Sequence, residues 1–184
     1  AIDSSLPFMH FFDGFRTSHE LNTVSLVDEE EIRKLIDYKK VNEFKQRGLN
    51  IGKEITRGTS QTGDVYFQNT EVRNKFYMDT PDIVNKYMEK INKLANLNYK
   101  PFNYYGHPFA THVIVAMGSV CDTVKTVVDT LNNEGEKVGV IEVHLYRPFS
   151  TKYFLKALPK TVKKIAVLDR TKEPGSNGEP LYLD

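Results

Sequence analysis

Residues 112–150, HVIVAMGSVCDTVKTVVDTLNNEGEKVGVIEVHLYRPFS, form the stretch that decides the fold class. It opens with a short apolar, β-branched run at 113–117 that stops at a Gly-Ser pair, as is typical of a strand buried on both faces. An amphipathic helix follows, and a second apolar run covers 138–146. A strand, a crossover helix and another strand within about 35 residues predict a right-handed parallel βαβ unit, the seed of an open α/β sheet.

The helix of this unit has predicted ends and a predicted buried face. Ser119 is expected to cap its first turn, and Asp122, three residues later, completes a capping box. Gly135 is available for the left-handed conformation that ends many helices. The predicted buried face consists of Val120, Val124, Val127, Val128 and Leu131.

The chain has one cysteine, Cys121, just after the predicted cap. A helix N-terminus can lower the pKa of a thiol, but we favour the interpretation that Cys121 is a small apolar side chain packed under the sheet. A single thiol excludes an internal disulfide. It also excludes a cysteine-ligated metal or iron–sulfur cluster made by this chain alone.

Composition indicates a soluble globular protein and excludes several function classes. The 184 residues carry 25 basic and 24 acidic side chains, a net charge of +1, so nothing builds the one-signed field that binds nucleic acid or an anionic membrane. No apolar run approaches the ~20 residues of a membrane span. The first residues lack the basic region and cleavage pattern of a secretory signal.

The N-terminal run LPFMHFF, residues 6–12, predicts a buried strand that ends in a turn at Asp13 and Gly14. Almost nothing precedes this run to pair with it, so we expect the rest of its sheet to lie upstream of this chain. Arg16, Ser18 and His19 follow at the carboxyl end of the strand. They are either anion or acid–base groups at a site, or residues that cap and tie down a turn, and the spacing favours the turn.

The passage from there to the βαβ unit contains weaker signals. Residues 23–27 suggest a short strand, and Asp28 is expected to cap a helix or helix pair with a buried side that Gly48 stops. Residues 49–80 show no sustained period, and their one β-like patch is at 65–67. We therefore predict a long ordered excursion that contacts protein absent from this chain.

A further helix is predicted from Thr80 and Pro81 to about Leu97, with proline at the first helical position. Its apolar stripe consists of Ile83, Val84, Tyr87, Met88, Ile91, Leu94 and Ala95. The Asn-rich residues 98–108 suggest a linker. The predicted domains are therefore residues 1–100 and residues 101–184.

After the βαβ unit, a short helix is predicted from Ser150 to a stop at Pro159, and a third strand at 162–168. Three strands make a thin sheet, so more chain is expected to follow. The predicted fold class is α/β, with an open parallel sheet preceded by the tail of another α/β domain.

Familiar catalytic motifs are missing from the sequence. There is no dinucleotide fingerprint, phosphate-binding P-loop, zinc-protease helix or nucleophile elbow. Gly118 and Ser119 could place a phosphate at a helix N-terminus, but any strand-to-helix turn offers that, and we do not favour it. The histidines show no metal-ligand spacing, and we interpret them as structural or surface groups. They are His10, His19, His107, His112 and His144.

Six segments of the chain are distinctive: HFFDGFRTSHE (10–20), RGTSQ (57–61), DVYFQ (64–68), VIVAMGSVCDT (113–123), LYRPF (145–149) and VLDRTKEPGSNGEPLYLD (167–184). These segments closely resemble the pyruvate:ferredoxin (flavodoxin) oxidoreductases, in nearly collinear order over the whole chain. Thr62-Gly63 departs from the family's usual Asn-Pro, residues 107–112 depart from its more acidic sequence, and His144 stands where arginine is common.

The resemblance implies a large, multidomain and homodimeric enzyme that uses thiamine diphosphate and magnesium to decarboxylate pyruvate, and that yields acetyl-CoA from coenzyme A. Electrons would pass through [4Fe-4S] clusters to ferredoxin or flavodoxin. The implied location is the cytoplasm of an anaerobe or a mitochondrion-related organelle. The resemblance makes residues 1–100 the end of the pyrimidine-side domain and residues 101–184 a transketolase C-terminal-like domain.

By the same resemblance, the catalytic groups lie upstream of this chain and the cluster domains downstream. We therefore assign no catalytic, cofactor-binding or metal-ligating residue here and expect no cofactor bound by this segment, whose role would be architectural. If any residues touch function, we expect Asp13, Arg16 and His19 first, then Arg170 and Glu173, although salt bridges and caps are the favoured interpretation for all of them. A fusion with an NADP-reducing flavin module and a stand-alone assembly module remain alternatives.

Overall fold

A computed structural model describes residues 1–21, 23–55 and 60–184, except for the side chain of Arg16. The chain divides into two compact units. Unit 1 consists of Ala1–Met9 and Val24–Asn96, and unit 2 of His10–Thr23 and Leu97–Asp184. The helices are α1 (Arg16–His19), α2 (Glu29–Lys34), α3 (Tyr38–Gln46), α4 (Gly63–Glu71), α5 (Asn74–Ala95), α6 (Val120–Asn133), α7 (Thr151–Ala157) and α8 (Pro180–Leu183).

Unit 2 contains a four-stranded open sheet with the strand order β1-β3-β2-β4. The strands are β1 (Phe102–Gly106), β2 (His112–Ala116), β3 (Val138–Val143) and β4 (Lys164–Val167). Both β3 and β4 pair in parallel with β2, and α6 connects β2 to β3, so the predicted strand-helix-strand unit and the third strand are confirmed. Helix α7 confirms the short helix predicted from Ser150. The fold class is α/β with a mostly parallel open sheet.

The linker predicted at 98–108 is wrong, because β1 lies within it and pairs antiparallel with β3. Phe102 is buried, and its ring packs edge-on against Phe149 and Phe154, with centroids 5.1 and 5.6 Å away. Of the Asn and Pro residues that suggested a linker, Asn98, Pro101 and Pro108 flank this strand and Asn103 lies within it. The sheet therefore has four strands, not the predicted three. The domain boundary near residue 100 stays a prediction.

The sheet has apolar side chains on both faces, as its parallel part requires. Because side chains alternate along a strand, Val113 and Val115 lie on the face that holds Phe102 and Ile141, and Ile114 lies on the other face with α6. Val124 and Val128 of α6 are buried there, whereas Val127, predicted on the same face, is 49% exposed. Gly135, after α6, has φ +94°, which confirms the predicted left-handed end.

Within the described residues, unit 1 is helical, and its only β pairing is an isolated bridge between Asn50 and Lys53. The strands predicted at 6–12 and 23–27 are therefore wrong, and the β-like patch at 65–67 lies in α4. A strand needs a neighbour to satisfy its backbone hydrogen bonds, and these segments pair with none in the described chain. In α4 the bonds are local instead, with Tyr66 N donating to the Thr62 carbonyl at 3.0 Å.

The helix pair predicted after Asp28 is confirmed as α2 and α3. The carboxylate of Asp28 accepts a hydrogen bond from Glu30 N at 2.8 Å, as an N-cap does. The predicted buried side is wrong, since neither helix contains a buried residue within the chain. The apolar side chains Ile32, Ile36 and Phe44 are all more than 40% exposed.

Helix α5 begins at Asn74, so the start predicted at Thr80 and Pro81 is wrong. Pro81 is buried inside the helix. Pro81 lacks the N–H that would donate to the Tyr77 carbonyl, while the Thr80 hydroxyl donates to the neighbouring Phe76 carbonyl at 2.7 Å. The left-handed Asn96 ends the helix at Ala95, and the predicted apolar stripe is half-buried along it.

Candidate functional site

Three distant segments of unit 2 meet at the carboxyl edge of its sheet. Strands β2 and β4 are parallel neighbours, so the residues that follow them lie at the same edge. Gly118 and Ser119 follow β2, Arg170 follows β4, and Asp13 contacts Ser119 and Arg170 from the N-terminal part of unit 2. We call these four residues the Asp13 site.

The carboxylate of Asp13 is fully engaged in this site. Ser119 donates to Oδ2 twice, from its backbone N at 2.7 Å and from its Oγ at 2.5 Å. Arg170 donates to Oδ1 at 2.7 Å. The Asp13 side chain is 20% exposed and that of Arg170 is 74% exposed. The Ser119 hydroxyl, its backbone N–H and the Arg170 guanidinium together lower the pKa of Asp13, which stays ionised at neutral pH.

The predicted capping box at the start of α6 is wrong, because a distant residue caps this helix. Ser119 has helical dihedral angles and makes no side-chain cap bond, since its hydroxyl is directed to Asp13. Asp122 lies 3.6 Å from Lys125 Nζ instead. The Asp13 carboxylate therefore supplies the negative charge that a helix N-terminus favours, and it occupies the place considered for a phosphate.

Gly118 lets the carboxylate approach this closely. Its φ is +82°, a conformation that side chains with a Cβ rarely adopt, and a Cβ there would lie 2.8 Å from Asp13 Oδ2. The sequence shows Gly118 only as part of an ordinary strand-to-helix turn. Its contact with Asp13, from far earlier in the chain, leaves no local signal.

Ser18, His19 and Glu173 have their described side-chain contacts outside this arrangement or are exposed. His19 Nδ1 lies 2.6 Å from the Phe15 carbonyl and Ser18 Oγ donates to the same oxygen at 3.1 Å, so these residues tie down the single turn of α1, as the favoured interpretation predicts. Arg16 lies in α1, and its side chain is outside the described part. The Glu173 side chain is exposed, while its backbone N donates to Glu179 Oε2 at 2.6 Å.

Sequence reasoning missed one further carboxylate next to Arg170. Asp169 accepts hydrogen bonds from Thr171 N and Leu181 N, each at 3.0 Å, and so fixes the segment after β4 to α8. Burial alone would raise the pKa of Asp169, but these backbone hydrogen bonds lower it. The RGTSQ segment, by contrast, begins with residues 57–59, which lie outside the described residues.

Cys121 lies in the first turn of α6, two residues after Ser119, and is buried, with 5% exposure. Burial raises the pKa of its thiol to about 11, and the nearby charge of Glu142 adds to this effect. The thiol is therefore neutral and unreactive at physiological pH. This confirms the packing interpretation over a reactive thiolate.

Among the described residues, no group of three or more His, Cys, Asp or Glu side chains could hold a metal ion. A groove of about 360 Å³ between α6 and the sheet is lined mainly by valine, leucine and isoleucine, with His112 and Lys164 at one end. In the part of the chain that the structure describes, no helix combines the length and apolarity needed to cross a membrane.

Comparison with known families identifies both halves of the chain. Residues 1–89 match the model described as "Pyruvate flavodoxin/ferredoxin oxidoreductase, thiamine diP-bdg", and residues 110–184 match "Pyruvate:ferredoxin oxidoreductase core domain II". The chain belongs to the pyruvate:ferredoxin (flavodoxin) oxidoreductase family. The resemblance of the six sequence segments to this family is thereby confirmed.

Individual members of the family match along the whole chain. This chain is 55% identical over 184 residues to the pyruvate-flavodoxin oxidoreductase of Enterobacter agglomerans and covers 16% of that protein. It is 50% identical over 183 residues to the pyruvate:ferredoxin oxidoreductase of Moorella thermoacetica, again covering 16%. It is also 50% identical over 183 residues to the pyruvate dehydrogenase [NADP(+)] of Cryptosporidium parvum, covering 99% of this chain and 10% of that one.

A solved structure is also similar to part of this chain. The 2-oxoglutarate:ferredoxin oxidoreductase from Magnetococcus marinus, with 2-oxoglutarate, coenzyme A and succinyl-CoA bound, matches 46% of this chain and 15% of its own. Identity is 26% and the TM-score is 0.31, a similarity that adds nothing to the family assignment.

Proposed function

We propose that this chain is part of an enzyme that oxidises pyruvate and passes the electrons to flavodoxin or ferredoxin. The observation that carries the proposal is the 55% identity, over all 184 residues, to a pyruvate-flavodoxin oxidoreductase. The chain spans 16% of that protein, so the activity belongs to the larger assembly. Thiamine diphosphate with magnesium would serve as the electron sink for decarboxylation, coenzyme A would take up the acetyl group, and [4Fe-4S] clusters would carry the electrons.

Within such an enzyme, we assign this segment an architectural role. Its single cysteine cannot by itself ligate a [4Fe-4S] cluster, which requires four thiolates. Three of the segments that resemble the family, residues 10–20, 113–123 and 167–184, meet at the Asp13 site. The role that this geometry supports is to join these segments at one edge of the sheet.

The domain assignment follows the two family models. Residues 1–100 would be the end of the pyrimidine-side domain and residues 101–184 a transketolase C-terminal-like domain, and the matches at 1–89 and 110–184 support this division. The remaining domains of the parent, a second copy of that parent, and ferredoxin or flavodoxin would be its partners. The proposed location is the cytoplasm or a mitochondrion-related organelle.

A transplant tests the proposal directly. The aligned segment of the Enterobacter agglomerans enzyme is replaced by these 184 residues, and pyruvate-dependent reduction of flavodoxin is measured. We expect the chimera to keep activity within about tenfold of the parent, because only the architectural segment has changed. A chimera that folds and binds thiamine diphosphate but does not oxidise pyruvate would contradict the proposed activity.

The isolated chain provides the matched control for the architectural role. Titration calorimetry with thiamine diphosphate and magnesium should show no binding to these 184 residues, whereas the intact parent enzyme should bind. Tight binding by the isolated chain would contradict the architectural role and leave the proposed activity standing.

A second electron acceptor is supported by a separate observation. Two relatives named pyruvate dehydrogenase [NADP(+)], from Cryptosporidium parvum and Euglena gracilis, are 50% and 49% identical to this chain. These identities lie within the range of 48% to 55% found for the flavodoxin- and ferredoxin-linked relatives, so the same segment would also suit a parent that reduces NADP. Assaying the full-length parent with NADP and with flavodoxin, at equal pyruvate concentrations, distinguishes the two acceptors.

A further inference from the structure

Asn177 and Gly178 form the chain's single Asn-Gly pair, and they lie between β4 and α8, outside helices and strands. Asparagine is chemically labile in proteins, because its side-chain amide carbon can be attacked by the backbone nitrogen of the next residue. Glycine in that next position hinders the attack least, since it has no Cβ and adopts a wide range of backbone conformations. The pair therefore combines the two residue types that react most readily with each other.

The fold itself selects glycine at position 178. A Cβ added there would lie 2.3 Å from Cδ1 of Tyr182, a residue of α8. Any larger residue would displace the tyrosine ring or open the turn, so the contact with Tyr182 keeps the backbone nitrogen of residue 178 without a neighbouring Cβ. The packing of α8 against this turn therefore maintains the labile pair.

Hydrogen bonding leaves both reacting groups of the pair available. The Asn177 side chain is exposed, and it makes no hydrogen bond to any residue that the structure describes. Gly178 N donates to Ser176 Oγ at 3.5 Å, which is long for an N–H···O bond. The turn is closed one residue before the pair, where Ser176 N donates to the Glu173 carbonyl at 3.1 Å. Neither the amide carbon nor the nitrogen is therefore held by a strong hydrogen bond.

The chain's single Asp-Gly pair, Asp13 and Gly14, differs in this respect. The Asp13 carboxylate accepts hydrogen bonds from Ser119 and Arg170, which lower its pKa, so it is ionised at neutral pH. A nitrogen attacks an ionised carboxylate far more slowly than a neutral amide, because the negative charge repels the attacking electron pair. We expect the reaction at Asn177 and not at Asp13.

We propose that Asn177 is a site of spontaneous deamidation, with water as the co-reactant. The Gly178 nitrogen loses its proton and bonds to Cγ of Asn177, while the C–N bond of the side-chain amide breaks and ammonia leaves with that proton. Water then opens the succinimide ring at either carbonyl and gives aspartate or isoaspartate. Nothing is oxidised or reduced. The product carries a new negative charge in the loop where Glu179 accepts a hydrogen bond from Glu173 N at 2.6 Å.

Incubation of the folded 184-residue chain at physiological temperature and about pH 8 tests the proposal, because the attacking nitrogen must lose its proton. Intact-mass measurement should show a gain of about 1 Da, and peptide mapping should place aspartate and isoaspartate at position 177. Asn98 is the internal control, since it is also exposed and outside helices and strands but precedes the bulky Tyr99. It should react about tenfold more slowly or less.

Two variants assign the reaction to this pair. Asn177→Gln should remove the mass change from the peptide that contains residue 177, because a longer side chain closes the ring much more slowly. Gly178→Ala should slow the conversion of Asn177 about tenfold. Alanine can also open the turn, so each rate is compared with that of the same chain in denaturing urea, where the turn is absent and only the local hindrance remains.

Two outcomes would overturn the proposal. If Asn177 in the folded chain does not react while the chain in urea does, the turn protects the pair. If Asn98 and Asn177 react at equal rates, or Gly178→Ala in urea reacts as fast as the natural chain in urea, the glycine does not make Asn177 labile.

Discussion

Each unit is tied together by one aspartate from the first residues of the chain, and the two aspartates do so in different ways. Asp3 of unit 1 pairs with Lys40 of α3, accepts a hydrogen bond from the Tyr87 hydroxyl of α5 at 3.1 Å, and lies 3.8 Å from Lys86 Nζ. Asp13 of unit 2 binds the backbone and hydroxyl of Ser119, and Arg170. Side-chain hydrogen bonds, from Lys40 and from Ser119 respectively, are the main reason that the pKa of each aspartate is lowered.

The two aspartates differ in whether their hydrogen-bond donors can bind water instead when the carboxylate is removed. Lysine ammonium groups and a tyrosine hydroxyl stand at the ends of long side chains, and they can turn to water. The Ser119 N–H belongs to the backbone at the N-cap of α6, so it cannot turn to water as the end of a long side chain can. Loss of the Asp13 carboxylate should therefore lower the free energy of unfolding more than loss of the Asp3 carboxylate does, although both carboxylates are ionised.

Gly118→Ala should destabilise unit 2 the most, because it strains the backbone at residue 118 and also displaces the Asp13 carboxylate. The added Cβ lies 2.8 Å from Asp13 Oδ2 at a φ of +82°. We expect about 2–4 kcal/mol of destabilisation, of which ~1–2 comes from the left-handed backbone. Urea unfolding of unit 2, followed through the amide resonances of β3, measures this.

Gly135→Ala is the matched control for that substitution. Gly135 has φ +94°, but a Cβ there meets nothing within 4 Å. Only the backbone contribution of ~1–2 kcal/mol should remain. Equal losses of unfolding free energy in Gly118→Ala and Gly135→Ala would show that the close contact between Asp13 and Gly118 does not contribute to stability.

Asp13→Asn should come next, at about 1–3 kcal/mol, since it replaces a charged acceptor of two Ser119 donors by a weaker one. Asp3→Asn should cost less, about 0.5–1 kcal/mol, because its lysine partners recover hydration. Chemical denaturation followed separately through β3 and α5 resonances gives both values. A larger loss for Asp3→Asn would reverse the comparison between fixed and mobile donors.

Sequence patterns predicted the parts of the fold that local periodicity defines. The βαβ unit was predictable because 113–117 and 138–143 are apolar runs separated by an amphipathic helix with Gly135 at its end. Strand β1 was not, because FNYYG is short, half-polar and flanked by Asn and Pro, and its strand form depends on pairing with β3. The same dependence on pairing explains why the apolar run at 6–12, which has no neighbour in the described chain, is not a strand.

Some features of the Asp13 site were likewise predictable from the sequence, and others were not. Asp13 and Arg170 were candidates because each follows a predicted strand, and open sheets place functional groups at such ends. Their contact, and the use of Ser119 as a donor to Asp13 in place of a local cap, join residues more than 100 positions apart. Sequence spacing gives no information about contacts at such separations. The role of Ser18 and His19 in closing a turn was predictable, because both bond to the carbonyl of Phe15, three and four residues earlier.

Acidification should remove the Asp13 contribution gradually. Its folded pKa is lowered, so the contribution is fully present above the unfolded pKa of about 4 and is lost as pH falls through the folded value. The stability difference between the natural chain and Asp13→Asn should therefore be constant from about pH 7 to pH 5 and shrink below about pH 4. Denaturation at stepped pH measures it, and a difference that is still constant at about pH 2 would contradict the pairing.

Arg170→Gln should give the smallest effect and completes the comparison. Arg170 is 74% exposed, so its bond to Asp13 resembles a surface ion pair worth about 0–0.5 kcal/mol, and salt should screen it. Urea unfolding should give a loss that disappears at about 1 M NaCl, where the Debye length is about 3 Å, while the loss caused by Asp13→Asn largely persists because the Ser119 bonds are not solvent-exposed ion pairs. If Arg170→Gln matched Asp13→Asn at both salt concentrations, the guanidinium, and not the fixed N–H of Ser119, would be what holds Asp13 at the sheet.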